Sequence, residues 1–264
     1  MIVHSLTAFN DNYIWLIEQP QHIWVVDPGE AKPVIEWLAH HQRSLSGILI
    51  THHHADHIGG VETLLAHYPA ARVFAPATLH KIPVTDRLKE GDQLALGNAH
   101  LKVLATPGHT LDHLCFIGQD VLFCGDTLFT GGCGRVFEGT TDQMAESLAK
   151  IKALPAHLKV YCGHEYSLAN LNFAIRVEPN NKKLIERRKS VNQAYIDHQA
   201  IAPTSLQVEL DTNPFLRTDA ADVATVISQR LNKTKQPTTI GQQFACLRAW
   251  KDELDTTGIL EKTF

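Results

Sequence analysis

Residues 51–60 read T-H-H-H-A-D-H-I-G-G and follow directly on the apolar run Ile48, Leu49, Ile50. A buried strand that ends in a turn delivers the next side chains to the rim of a sheet, where loop residues can converge on one point. His52, His54 and Asp56 recur at spacing two, so an extended segment projects them to one side, and His57 adds a donor as the chain enters the next helix. His53, whose neighbours face that point, is expected to turn away and serve a structural role. Six residues cannot close a metal site alone. Three distant positions share one local context, an apolar run, a glycine and then a donor: His109 in T-P-G-H-T, Asp126 in C-G-D-T and His164 in C-G-H-E. Five His and two Asp exceed what one tetrahedral ion takes and suit two cations that share a carboxylate.

Working outward, the rest of the chain is ordinary except for its histidines. Its 264 residues correspond to one or two domains at roughly 150 residues each, enough for a large core without disulfides. A composition of 44% hydrophobic and 20% charged residues fits a soluble globular protein. The formal net charge of -4 argues against broad binding to nucleic acid or anionic membranes, so neither is expected as a partner. The 16 His stand out, because imidazole is the commonest metal ligand. Five cysteines, an odd number without C-x-x-C spacing, read as reduced thiols and point to the cytoplasm. Asn10, Asp11 and Asn12 interrupt the apolar N-terminal run, so no secretory signal is expected, and no stretch reaches the roughly 18 to 20 apolar residues of a membrane span.

Short apolar and β-branched runs predict strands over 12–18, 22–26, 46–51, 72–75, 100–105, 114–117, 121–125 and 159–162, with helices over 31–41, 58–67 and 142–153. From about Ser167 helical spacing takes over, at 168–177, 181–199, 219–231 and 242–254, punctuated by Pro179, Pro203, Pro214 and Pro237. A catalytic domain over 1–166 and a helical domain over 167–264, packed together without a flexible linker, are therefore expected. Lys182, Lys183, Arg187, Arg188 and Lys189 read as the solvated face of a long helix. Arg248 and Lys251, three apart on a predicted helix, share a face and can clamp a carboxylate.

The T-H-H-H-A-D-H run with T-P-G-H-T, G-D-T and G-H-E-Y resembles the metallo-β-lactamase superfamily. A-F-N-D-N-Y-I-W near the start, G-G-C-G-R-V-F-E-G-T in the middle, and N-P-F-L-R and L-R-A-W-K-D in the helical part make the chain similar to its glyoxalase II (hydroxyacylglutathione hydrolase) family over essentially the whole length. The resemblance implies an α+β fold, a four-layer αβ/βα sandwich followed by a C-terminal helical domain. It implies His52, His54 and His109 on one metal, Asp56, His57 and His164 on the other, and Asp126 bridging. It also implies a substrate-binding role for Arg135, Tyr166, Arg248 and Lys251. Phe137 stands where some members carry a tyrosine, and the missing hydroxyl is expected to cost about 1 kcal/mol of binding.

The activity implied is hydrolysis of S-(2-hydroxyacyl)glutathione, chiefly S-D-lactoylglutathione, to D-lactate and glutathione, the second step of methylglyoxal detoxification. A hydroxide bridging two divalent cations is available near neutral pH, and a thiolate with a pKa of about 8.5 leaves without strong acid assistance. Asp56 is the candidate catalytic residue, a ligand whose free oxygen orients the hydroxide. Zinc is the expected metal, although iron and manganese suit the same donors, and a monomer is the expected form. Two alternatives remain: a one-iron persulfide dioxygenase on the same fold, without the helical extension, and a non-catalytic metal-binding module with a closed coordination shell.

Overall fold

Along β2 (Asn12–Glu18) side chains alternate between two cores, Tyr13, Trp15 and Ile17 entering one and Ile14 and Leu16 the other. A strand of period two thereby becomes the partition between two apolar layers. The computed structural model, which describes residues 1–230 and 239–260, carries this partition through a six-stranded sheet. Its strands β1 (Ile2–Ala8), β2, β3 (Ile23–Val26), β4 (Gly47–Leu49), β5 (Arg72–Pro76) and β6 (Asp86–Leu88) lie in chain order. One face of this sheet packs on α1 (Lys32–His40) and α3 (Val61–His67) through Val34, Leu38, Val61 and Leu64.

The other face meets a second six-stranded sheet. That sheet runs β14 (Thr204–Ser205), β13 (Lys159–Cys162), β10 (Val121–Gly125), β9 (Leu114–Ile117), β8 (Ala99–Ala105) and β7 (Gln93–Leu96). Met144 and Leu148 of α4 (Thr141–Lys152) join its core, and a small hairpin of β11 (Leu128–Phe129) and β12 (Gly132–Cys133) stands beside it. Helix, sheet, sheet and helix give the layered sandwich expected.

The helical part comprises α5 (Ser167–Val177), α6 (Lys182–Ile196), α7 (Leu206–Thr212), α8 (Ala221–Arg230) and α9 (Ile240–Thr256). It returns a strand to the sandwich, because β14 pairs antiparallel with β13 through Lys159 opposite Ser205 and Val160 opposite Thr204.

Several expectations change. β1, β6 and β7 were not predicted, since few of their residues face the core; in β7 buried and exposed positions alternate. The helix expected over 58–67 is two pieces, α2 (Ala55–Ile58) and α3, separated by Gly59 and Gly60, both poor helix formers. α7 is an unpredicted helix, started by Ser205 accepting a hydrogen bond from the Val208 N–H at 3.2 Å. Leu231, Pro237 and residues 261–264, parts of the expected helical domain, lie outside the described residues.

The cationic run also divides. Lys182, Lys183 and Lys189 are exposed, but Arg188 donates to Asn172 Oδ1 at 2.8 Å and Arg187 is drawn inward. Arg187 shares a helix face with buried Leu184 and Val191, where α7 packs; there it pairs with the fully buried Glu209 and donates to Thr212 Oγ1. Glu209 Oε2 also accepts from the Gly131 N–H at 2.9 Å and from Asn213 Nδ2 at 3.1 Å, which ties the helices to the β11–β12 turn. Glu209→Ala leaves the enclosed guanidinium without its counter-ion and is expected to destabilise the fold by about 3–5 kcal/mol, read as a lower midpoint in thermal or urea unfolding.

Candidate metal centre

The ends of strands from both sheets supply the donors. His52, His54, Asp56 and His57 follow β4, His109 follows β8, Asp126 follows β10 and His164 follows β13. The structure brings all seven together. His54 Nδ1 lies 3.1 Å from His52 Nε2 and 3.0 Å from His109 Nε2. Asp56 Oδ2 lies 3.3 Å from His164 Nε2 and 3.6 Å from His57 Nε2. Asp126 stands between the groups: Oδ1 is 3.4 Å from His57 Nε2, and Oδ2 is 3.3 Å from both His109 Nε2 and His164 Nε2. Glycine permits this approach, since a Cβ on Gly163 would sit 2.3 Å from Asp126 Oδ1.

The imidazoles are aimed by bonds on their other nitrogen. His109 Nδ1 donates to the Arg135 carbonyl at 2.8 Å, His57 Nδ1 faces Asp27 Oδ2 at 3.0 Å, and His164 Nδ1 faces Asp11 Oδ1 at 2.8 Å. Each bond directs Nε2 inward, the arrangement by which proteins orient metal-ligating histidines. His57 Nε2 and Asp126 Oδ1 are buried without a hydrogen-bond partner. Enclosed polar atoms are normally satisfied, and nitrogen spacings of 3.0–3.1 Å come close to a tetrahedron edge around an ion with bonds of about 2.0–2.1 Å. The donor set therefore fits divalent cations, and its two three-residue clusters, His52/His54/His109 and Asp56/His57/His164, suit a dinuclear site.

Electrostatics separates the two groups. Burial keeps His52, His54 and His109 below the ordinary imidazole pKa, so they are neutral donors. Burial also opposes charge on His57 and His164, but Asp126 outweighs it, aided by Asp27 at His57 and by Asp56 at His164. His57 is raised, and His164 is lifted to about 10. Asp56 and Asp126 are held well below the carboxylate range by the same imidazoles, against their burial.

Beside the donors opens a cavity of about 470 Å³ that Arg135, Phe137, Tyr166, Arg248 and Lys251 also line. Arg248 and Lys251 are buried on α9, and Arg248 Nη1 donates to the Cys133 carbonyl at 3.1 Å. Burial and Arg248 together lower the Lys251 pKa. The Tyr166 ring stacks on His164 at 4.9 Å and 6°. The exposed Phe137 ring packs edgewise on His54 at 5.8 Å. His53 turns away, with Nδ1 3.0 Å from Asp112 and Nε2 3.2 Å from Glu138.

Four supporting residues were missed from sequence: Asp27, Asp11, Asn12 and His113. Asp27 accepts from both the Thr51 N–H and its hydroxyl as well as facing His57. Asn12 Nδ2 donates to Asp56 Oδ2 at 3.0 Å. His113, stacked on His52 at 4.9 Å, accepts the Asp126 N–H on Nε2 at 3.0 Å, so it is no ligand on that nitrogen. The usable signal was the rule that a ligating imidazole needs a second partner, which directs attention to acids after neighbouring strands.

Residues 8–164 match the family described as the metallo-beta-lactamase superfamily, and residues 165–254 match the hydroxyacylglutathione hydrolase C-terminus. A hydroxyacylglutathione hydrolase of Aliivibrio salmonicida is 46% identical over 254 residues, 96% of this chain and 99% of that protein. One from Idiomarina loihiensis is 44% identical over 255 residues, with 96% and 99% coverage. Among solved structures, ETHE1 from Myxococcus xanthus superposes with a TM-score of 0.64 at 25% identity, covering 95% of this chain and 100% of that one.

Asp27→Asn is expected to weaken cation affinity by roughly 10- to 100-fold, the usual effect of losing a ligand's hydrogen-bonding partner, as measured by chelator competition. With His164 raised to about 10, cations must displace protons at neutral pH, so binding releases protons and weakens as pH falls. Calorimetry in buffers of different ionisation enthalpy reads that release directly.

Proposed function

Because the chain belongs to the hydroxyacylglutathione hydrolase family of the metallo-β-lactamase superfamily, we propose that it hydrolyses S-(2-hydroxyacyl)glutathione, chiefly S-D-lactoylglutathione, to D-lactate and glutathione. The observation that carries the reading is one cavity shared by the convergent His/Asp donors and a buried Arg/Lys pair. His52, His54 and His109 are assigned to one cation, Asp56, His57 and His164 to the other, and Asp126 to both. Two divalent cations in these positions, zinc by proposal with iron and manganese compatible with the donors, supply Lewis acidity and a water acidic enough to attack near neutral pH.

The chain's own groups do the rest. Arg248, Lys251 and Arg135 bind the carboxylate-bearing glutathione tail, and the buried pair loses little further solvation when it does so. Tyr166 stays a protonated donor, since burial raises its pKa above the ordinary phenol value. Asp56, which Asn12 holds through Oδ2, orients the attacking water. Phe137 contributes an apolar wall without a hydroxyl. A thiolate leaves unaided, so no side chain need be poised as a strong acid.

In this reading residues 1–166 form the catalytic domain and 167–264 the substrate-binding domain. A monomer is the proposed form. The five free thiols, four of them buried, support a reducing compartment, the cytoplasm. No described helix is long and apolar enough to cross a membrane.

Metal-replete protein is expected to release thiol from S-D-lactoylglutathione, while His54→Ala protein releases none above background. Equal rates from the two would reject the activity, and oxygen uptake with glutathione persulfide would support the dioxygenase alternative instead. Lys251→Met should raise KM roughly tenfold, as expected for losing a hydrogen bond between charged groups, with kcat little changed. An Asp56→Asn chain that kept both ions and full turnover would remove the orienting role.

A further inference from the structure

The wall of the substrate cavity already contains a carboxylate, that of Asp255. It accepts from Lys251 Nζ at 3.0 and 3.1 Å and from Arg248 Nη2 at 3.4 Å, and Arg135 Nη2 stands 3.5 Å away. Cations from two parts of the chain, the segment after β12 and α9, therefore converge on one internal anion. A Lys–Asp pair four residues apart is common on exposed helix faces, but here the side chains of Arg248, Lys251 and Asp255 are only 5%, 8% and 17% exposed. Asp252, which takes Arg248 Nε and Nη2 at 3.1 and 2.8 Å, lies farther out with 44% of its side chain exposed. Arg248 is further fixed through Nη1 on the Cys133 carbonyl. Arg248 is thus anchored independently of Asp255, whose short side chain borders the open cavity and can turn towards it.

We propose that Asp255 is a specificity-determining residue, an internal carboxylate that neutralises the cation cluster in the free protein and yields its place to a carboxylate on the thioester's thiol portion. This rests on the assignment of Arg135, Arg248 and Lys251 to the substrate tail. An uncharged ligand gains little from cations that are already neutralised, whereas a carboxylate exchanges with Asp255 like for like. The net attraction is a difference between two similar ion pairs, so glutathione, which leaves with the same tail, is also held weakly and departs readily.

The test uses metal-replete full-length Asp255→Asn protein and two thioesters of one acyl group, S-D-lactoylglutathione and S-lactoyl-N-acetylcysteamine, whose tail carries no charge. The expected result is a KM for the glutathione thioester lower by roughly fivefold, the upper range for one partly exposed ion pair. Product inhibition by glutathione tightens by the same factor, and kcat/KM for the uncharged thioester stays within about twofold. An unchanged KM overturns the proposal, and so does equal improvement with both thioesters. A raised KM overturns it too, and makes Asp255 an acceptor for the substrate's ammonium or amides. Asp255→Ser supplies the same readout should the asparagine disturb the helix. Lys251→Met and Arg248→Met in the otherwise unaltered chain report separately on the underlying assignment: if neither raises KM for S-D-lactoylglutathione, the tail site itself is misplaced.

Discussion

A buried carboxylate that faces imidazoles from three other loops is the constraint on which the rest of this molecule depends. Asp126 has almost no contact with solvent, and an ionised acid in such a place costs several kcal/mol unless positive or polar partners meet it in good geometry. Those partners come from both sheets: His57 from the end of β4, His109 from β8 and His164 from β13. Neither sheet could assemble the group alone, so the packing of Trp15, Trp24 and Leu49 against Leu101, Phe116 and Leu122 acts directly on the site's geometry. Every relative movement of the layers is a movement of donors. The outer bonds from Asp27, Asp11 and the Arg135 carbonyl then fix ring orientation, which sheet packing alone leaves open.

How far this was legible in sequence depends on locality. The seven donors could be found because each follows an apolar strand, with a glycine before three of them, and because four fall within residues 52–57. Asp27 and Asp11 were not, since a single acid after a strand carries no motif of its own, and the need of each ligating imidazole for a second partner narrows the choice only to acids after neighbouring strands. His113 escaped for the same reason. The sandwich was implied by the family resemblance, while local patterning gave a strand-rich half with short helices and overlooked β1, β6 and β7, whose side chains are only partly committed to the core. Glycines 59 and 60 end a helix that apolar spacing alone would have continued.

The helical half shows where charge patterns mislead. Arg187 has the sequence surroundings of a surface residue, but the next helix covers it and supplies Glu209, so a cation counted as solvated becomes part of a buried tie. Arg248 and Lys251 were correctly read as sharing a face. Their burial was not visible, because D-E-L-D immediately after them reads as an ordinary solvated helix end. Spacing reports which residues are neighbours on one helix, whereas the β12 segment that encloses them is set by tertiary packing alone.

The two-residue strand β14 has a role out of proportion to its length. It is the outermost member of the second sheet, and it comes from the helical half of the chain. Without it, β13 would present a row of unpaired amide and carbonyl groups, the template from which sheets grow into one another. The helices therefore guard the sandwich against self-association as well as completing its pocket. A version of the chain trimmed to the strand-rich half would bare that margin, together with the apolar core surface that Phe173, Phe215 and Phe244 cover, even if every metal donor remained in place.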